Sequence, residues 1–419
     1  MKAINGSWKD LLWGDIATLE YGKSLKGYRD RTSGFPVYGT NGPIGFNDTA
    51  LCNQSGVIIG RKGAYRGVHF APEPFFVIDT AFYLKPKLDF DIKWAYYQLL
   101  TQDINGLDSG SAIPSTSRDD FYGLQVKVPP PDEQRAIASI LGALDDKIEL
   151  NRRMNAALES LARAIFKSWF VDFDPVHSKS GQRTVPLNEL SPFTLPPSVS
   201  ALFPAAFQDS DLGKIPEGWK AMPISEAIEV NPKRILKKGT IAKYLDMKNM
   251  PIEGHRPNQI IDREMKSGSK FVNGDTLMAR ITPCLENGKT AFVDFLDSDD
   301  EVAWGSTEYI VLRPKPPLPE EYGYFLARDE EVRLHAIQNM TGSSGRQRVQ
   351  IDSFDSFLIA VPDEPIAQAF AELVKPLMSK IKSASESSLT LKTLRDTLLP
   401  RLLSGELSVR DFIIDGVAK

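Results

Sequence analysis

The chain has two cysteines in 419 residues, Cys52 and Cys284, far apart and without metal-like spacing. That scarcity argues against a disulfide framework and fits reduced thiols in a cytoplasm. Four histidines (His69, His177, His255, His335) cluster with nothing in sequence, so neither zinc spacing nor a histidine-based triad is visible. No apolar run approaches the ~20 residues that span a bilayer, so no membrane association is expected. The opening MKAINGSWKDLLWGD lacks an apolar h-region, so no signal peptide and a cytoplasmic location are expected. No GxxxxGK[ST] phosphate loop occurs. "GTNGPIG" (Gly39–Gly45) lacks GxGxxG spacing and a following helix, and reads as a turn-rich loop. "NPKR" at Asn231 lacks the second proline and aromatic of an amino-methyltransferase signature. Asp246 with Glu264-x-Lys266 is a faint nuclease-like triplet of a kind that arises by chance in charged loops. The chain is expected to be no enzyme and to bind no metal.

What is present is the composition of a globular protein, 42% hydrophobic and 25% charged. The length exceeds one ordinary core, so two or three domains are expected. Net charge is −4, but it is unevenly spread. Glu20–Phe70 holds seven Lys/Arg against three acids, and Asn231–Lys248 holds six against one. Such patches read either as solvated surface or as a field that steers a polyanion.

The chain repeats itself. "GSWKDLLWGDIATLEYGK" is matched by "EGWKAMPISEAIEVNPK", pairing Trp8 with Trp219 at an offset of 211. "RDDFYGLQVKVPPPDEQRAIA" is matched by "IDSFDSFLIAVPDEPIAQAFA", pairing Phe121 with Phe354 at an offset of 233. Each half is a globular region followed by a helix. In the first helix, steps of four and three join Ile137, Leu141, Leu144, Ile148, Asn151, Asn155, Leu158, Ala162, Ile165 and Trp169, an a/d seam broken by two asparagines. Leu377, Ile381, Ala384, Ser388, Leu391, Leu398 and Leu402 step likewise in the second, which Pro400 is expected to close. The first helix would span roughly 57 Å, and the nearest partner for its seam is the other helix of the same chain. The fold class is α+β: two globular β-rich domains separated by two long paired helices, with an internal two-fold pseudo-repeat. The expected divisions are 1–131 (first domain), 132–170 (helix), 171–217 (proline-rich, semi-rigid linker with little core), 218–362 (second domain), 363–403 (helix) and 404–419 (tail).

With no catalytic constellation, recognition chemistry remains. The first domain offers Lys23, Lys26, Arg29, Arg31, Tyr38, Thr40, Asn41, Arg61, Lys62, Ser111 and Arg118; the second offers Lys233, Arg234, Lys237, Lys238, Lys248, Arg280, Arg346, Gln347 and Arg348. Lysine and arginine neutralise phosphates, while Arg, Asn, Gln and hydroxyls read base edges. Basic, polar loops at equivalent points of both repeats, with Arg61 and Arg280 after matching apolar strands, favour nucleic acid over a merely solvated surface or a protein-binding scaffold. Phe166, Trp169, Phe170 and Phe173, spaced i, i+3, i+4, i+7, admit two readings: core packing at the helix end, or a docking patch for a partner subunit.

The "VP…EQ…IA" start of the central helix, "FKSWFVDFDP" at its end, "IPEGW" opening the second half and "LLPRLLSGEL" near the terminus resemble the specificity subunit of type I restriction–modification systems. So do "VYGTNGPIGF", "IGRKGAYRG", "IDTAFYL", "GDTLMARITPCLENGK" and "GSTEYIVLRP"; the resemblance covers essentially the whole chain. The second helix departs from it, with Ala367 where the glutamine of Gln134 is expected. The resemblance implies two target-recognition domains separated by an antiparallel coiled coil, each reading half of a bipartite double-stranded DNA target. It also implies two methyltransferase subunits that bind S-adenosylmethionine and restriction subunits that use ATP and Mg, with no cofactor on this chain.

Overall fold

The computed structural model describes residues 7–108, 114–181 and 195–409. Two compact units share the chain: Met1–Glu149 with Ser388–Lys419, and Leu150–Ser387. Mixed helix and strand content runs through both. Each long helix, Pro131–Phe170 and Glu364–Ser404, serves both units.

The first long helix begins as its sequence dictates. Pro131 sits where a missing N–H costs nothing, and Asp132 and Glu133 meet the positive end of the dipole. Every seam position of both helices is buried or half-buried. In the second unit the helices run antiparallel: Asn151 Nδ2 donates to Ala384 O (3.2 Å), and Phe166 and Phe370 lie 6.2 Å apart. In the first unit Arg395 Nη1 donates to Asp145 Oδ1 (2.6 Å). The second helix passes through Pro376 and also through Pro400, which was expected to close it, and stops at Ser404 before Gly405 at φ +77°. Leu402 and Leu403 lie in the first unit's core. Burying two leucines is worth roughly 3–6 kcal/mol, enough to offset about 3 kcal/mol for a helical proline.

In the first unit a four-stranded sheet runs in the order Ala17–Tyr21, Ala81–Pro86, Gly56–Gly60, Val68–Ala71. Gly56–Gly60 is buried along its whole length, as its unbroken apolar run requires. A three-stranded sheet holds Phe35–Gly39 between Gly42–Asn47 and Phe76–Val77. Lys9–Leu12 pairs antiparallel with Gln125–Val128, which leads into the long helix. The helix Ile92–Leu100 packs on the four-stranded sheet, with Trp94, Tyr97 and Leu99 fully buried.

In the second unit one four-stranded sheet is ordered Ile228–Val230, Tyr309–Pro314, Thr276–Ala279, Thr290–Phe292, and another Ile261–Glu264, Ile241–Leu245, Ala303–Gly305, Lys270–Phe271. Lys220–Pro223 pairs antiparallel with Leu358–Val361, and the helix Glu320–Arg328 packs on the first of these sheets. The stretch 171–217, expected as a linker with little core, is folded where it is described. It forms helices Asp174–Lys179 and Pro197–Leu202 and a hairpin of Phe207–Ser210 with Gly213–Pro216. Val176, Phe203 and Ile215 sink into the second unit's core, so the prolines punctuate short elements instead of extending a spacer. Among the described residues, no helix is long and apolar enough to cross a membrane, and no group of three or more His, Cys, Asp and Glu could hold a metal ion.

Candidate nucleic-acid interface

In the first unit the buried strand Gly56–Gly60 ends in the loop Arg61–Gly67. Gly60 is required there: a Cβ would stand 2.8 Å from Arg66 Cα and 2.9 Å from Thr40 O. Arg61 lies over the Tyr21 ring at 4.8 Å, and Arg118, fifty-seven residues later in the chain, lies over the same ring at 5.2 Å. Tyr21 is half-exposed, so the sheet gathers two cations on one aromatic surface. Arg61 Nη1 donates to Asp79 O (2.9 Å), one of five guanidinium donors. Arg118 donates to the Tyr122 hydroxyl (3.0 Å), which raises its already high pKa. Lys62 and Asn41 are exposed beside Arg61; Lys23, Lys26 and Arg29 are exposed on the preceding segment, and Arg31 pairs with Asp48.

Three candidates in this unit have structural work. Tyr38 is buried, its ring edge-on to Phe75 at 5.9 Å, on a strand end buried from Val37 to Gly39 between Gly42–Asn47 and Phe76–Val77, which leaves it no face for a base. The Thr40 hydroxyl is held at 2.9 Å from Lys62 O and 2.7 Å from Thr80 O. The Asn41 amide, nitrogen toward the loop, donates to Thr40 O (3.2 Å) and Tyr65 O (2.8 Å). Ser111 lies outside the described residues.

The second unit frames Arg280 in the same way. Val349 N–H donates to Arg280 O (2.9 Å), as Thr116 N–H donates to Arg61 O (2.9 Å) in the first. Ile281 bridges to Arg348, as Lys62 bridges to Ser115. Arg280, Gln347 and Arg348 are thereby brought together. Both arginines are engaged. Arg280 Nη2 donates to Val349 O (3.1 Å), and Arg348 is chelated by Glu308 through Nε (2.9 Å) and Nη2 (2.7 Å). Arg234 is a loop anchor: its Nη2 pairs at 3.2 Å with Asp275, which is fully buried and also faces Arg313. Burial pushes the Asp275 carboxyl up, against the pull of the Val272 amide and both guanidinia. Lys233, Lys237, Lys238, Lys248 and Arg346 are exposed.

Sequence reasoning missed Tyr21, and also Arg263, an exposed cation over Tyr244 (4.6 Å) and Trp304 (5.9 Å). Strand alternation across Ile241–Leu245 and Ile261–Glu264 puts Arg263 diagonal to Tyr244, which was the available signal. The docking-patch reading of Phe166, Trp169, Phe170 and Phe173 is overturned. The first three are no more than 5% exposed, packed against Tyr322, Phe325 and Phe370, and Phe173 stacks edge-on to Trp219 at 5.7 Å. An i, i+3, i+4, i+7 stripe is the spacing a core needs, and this one is filled from within its own unit.

The profile of the family described as "Type I restriction modification DNA specificity domain" matches residues 5–160 and again 216–392. A specificity subunit of type I restriction enzyme MjaIX from Methanocaldococcus jannaschii is 23% identical over 76% of this chain and 70% of its own length. That of type I restriction enzyme HindI from Haemophilus influenzae is 24% identical over 74% of each. The crystal structure of a type I restriction–modification system S subunit from M. genitalium superposes with a TM-score of 0.59 at 16% identity, covering 96% of this chain and 98% of that one, a likeness of fold. With both matched segments together spanning most of its length, the chain belongs to the type I restriction–modification DNA specificity family.

Proposed function

We propose that the chain is the DNA-reading subunit of a type I restriction–modification complex, each unit reading one half of a bipartite target. The two units are copies of one duplicated module, and the helices pair as an antiparallel coiled coil that sets the spacer between half-sites. Two methyltransferase subunits with S-adenosylmethionine, and restriction subunits with ATP and Mg, supply the chemistry; this chain binds no cofactor and acts in the cytoplasm. The observation that carries the reading is the equivalence of Arg61 and Arg280. Each follows a buried strand, each is half-exposed, and each carbonyl accepts the same cross-loop N–H at 2.9 Å. A guanidinium so placed retains donors for a guanine edge.

The test is genome-wide mapping of methylated sites in a host carrying this chain with its methyltransferase, repeated with Arg61→Ala and Arg280→Ala. A bipartite motif is expected, and each substitution should relax one half only, by about 1–3 kcal/mol of discrimination at the base concerned. Equal loss in both halves would sink the modular reading. Affinity that does not fall with salt would remove the DNA-binding role and leave a protein-binding scaffold.

A further inference from the structure

Among the described residues the three most exposed large apolar side chains are Ile235 (87%), Tyr65 (80%) and Ile241 (74%). Single exposed apolar residues are ordinary. These three all fall inside the two basic stretches, Glu20–Phe70 and Asn231–Lys248.

The loops that carry Tyr65 and Ile235 are held from within. Arg66, 3% exposed, donates from Nη1 to Gly63 O (3.0 Å) and from Nη2 to Asn105 O (2.6 Å), while its own N–H donates to Asn105 Oδ1 (2.7 Å). Gly63 N–H reaches Pro114 O (2.9 Å), and Gly67 N–H reaches Thr40 O (3.2 Å). Only the tip projects, with Lys62 beside Tyr65. In the second unit Asn231, at φ +54°, exchanges bonds with Val311, its N–H to the carbonyl (2.7 Å) and its Oδ1 to the amide (2.9 Å). Arg234 is pinned on buried Asp275, and Gly239 N–H donates to Met265 O (3.0 Å). Ile235 stands out between these anchors, flanked by exposed Lys233, Lys237 and Lys238.

An apolar tip with exposed lysine beside it, Lys62 at Tyr65 and Lys233, Lys237 and Lys238 at Ile235, suits an occupant that is anionic outside and apolar inside. Duplex DNA has that construction: phosphates surround a base stack that accepts aliphatic and aromatic wedges. We infer that Tyr65 and Ile235 are apolar wedges, one per unit, that press into the base stack of the half-site their unit reads while the neighbouring lysines hold phosphates. The inference rests on the proposed DNA-reading function and goes beyond it by naming the contact that distorts the duplex.

The test uses the assembled complex with its methyltransferase subunits and a duplex carrying the mapped target, with 2-aminopurine placed step by step through each half. Wild type should show raised fluorescence at one step in each half. Tyr65→Ala should abolish the signal in the first half alone and weaken binding ~10-fold, the scale of one aromatic–base stack. Tyr65→Trp should restore both. Ile235→Ala should do the same in the second half, with Ile235→Leu restoring it. Both side chains are exposed, so thermal unfolding should be unchanged in every variant. Wild type that binds specifically without a fluorescence change, or Ala variants that bind and distort as wild type does, would overturn the wedge. Loss of methyltransferase capture with intact DNA binding would overturn it in favour of a protein contact. Wild type without specific, salt-dependent binding would instead overturn the DNA-reading function on which the wedge rests.

Discussion

The two units close the roots of their helix pairs with different chemistry. Counting 233 residues on from each position, Ile137 and Leu141 of the first unit correspond to Phe370 and Val374 of the second; Ile165, Trp169 and Phe170 of the second correspond to Leu398, Leu402 and Leu403 of the first. At these positions the first root is wholly aliphatic, whereas the second carries three aromatic rings, Trp169, Phe170 and Phe370. The first also carries a polar clasp. Gln134, fully buried, accepts the Asp91 N–H (2.8 Å) and donates to Pro129 O (2.8 Å), tying the long helix to the cap of Ile92–Leu100. In the second unit the residue capping Glu320–Arg328 is Pro319, which has no N–H, and buried Ala367 stands where the glutamine would. With Pro319 at that cap, a glutamine in place of Ala367 would find no cap N–H of the kind Gln134 accepts from Asp91. A buried polar group persists where it has a partner and is dispensable where it has none.

Five substitutions, two of them combined in one double-mutant cycle, would break or sharpen this contrast. Trp169→Ala should cost about 4 kcal/mol by opening a cavity among rings, and Leu402→Ala about 3 kcal/mol. Denaturant unfolding read by hydrogen exchange in each unit separately measures both. An unchanged second unit would undo its assignment as core. Ala367→Gln should destabilise the second unit by about 3 kcal/mol, because the added amide is overpacked and finds no N–H to accept. A stability near wild type would mean that Pro319 does not explain the alanine. Gln134→Ala should cost about 2 kcal/mol by stranding the Asp91 N–H and the Pro129 carbonyl. In an Asp91→Pro background the same substitution should cost about 1 kcal/mol less, a coupling visible in a double-mutant cycle. Strict additivity would dissolve the clasp.

Much of this was legible in the sequence where the signal is periodic. The seam from Ile137 to Trp169 could be stepped off because a buried helix face must recur every three or four residues. The five buried residues Gly56–Gly60 announced themselves as an unbroken apolar run. Features that depend on partners distant in the chain could not be read this way. Arg61 and Arg118 share a site only because each lies over the Tyr21 ring, and Arg234 turns inward toward buried Asp275. Tyr38 looked like a loop residue from its Gly-Thr-Asn neighbours, yet strand pairing with Val77 and Pro43 decides its direction. The aromatic stripe was ambiguous in principle, since a core and a docking face demand the same spacing. Its resolution needed Tyr322, Phe325 and Phe370, more than 150 residues away.

Arg66 and Arg234 hold the loops from which Tyr65 and Ile235 project. Each grips its loop by a side chain tied to buried or main-chain partners, so foldedness is invested in one position and the tip is released from it. Lys62, Tyr65, Ile235, Lys237 and Lys238 contribute little to the core and are therefore nearly neutral to exchange as far as folding is concerned. In evolutionary terms such a loop is a socket. Under the proposed DNA-reading function, exchanging the exposed tip residues would change the surface offered to DNA without rebuilding the fold.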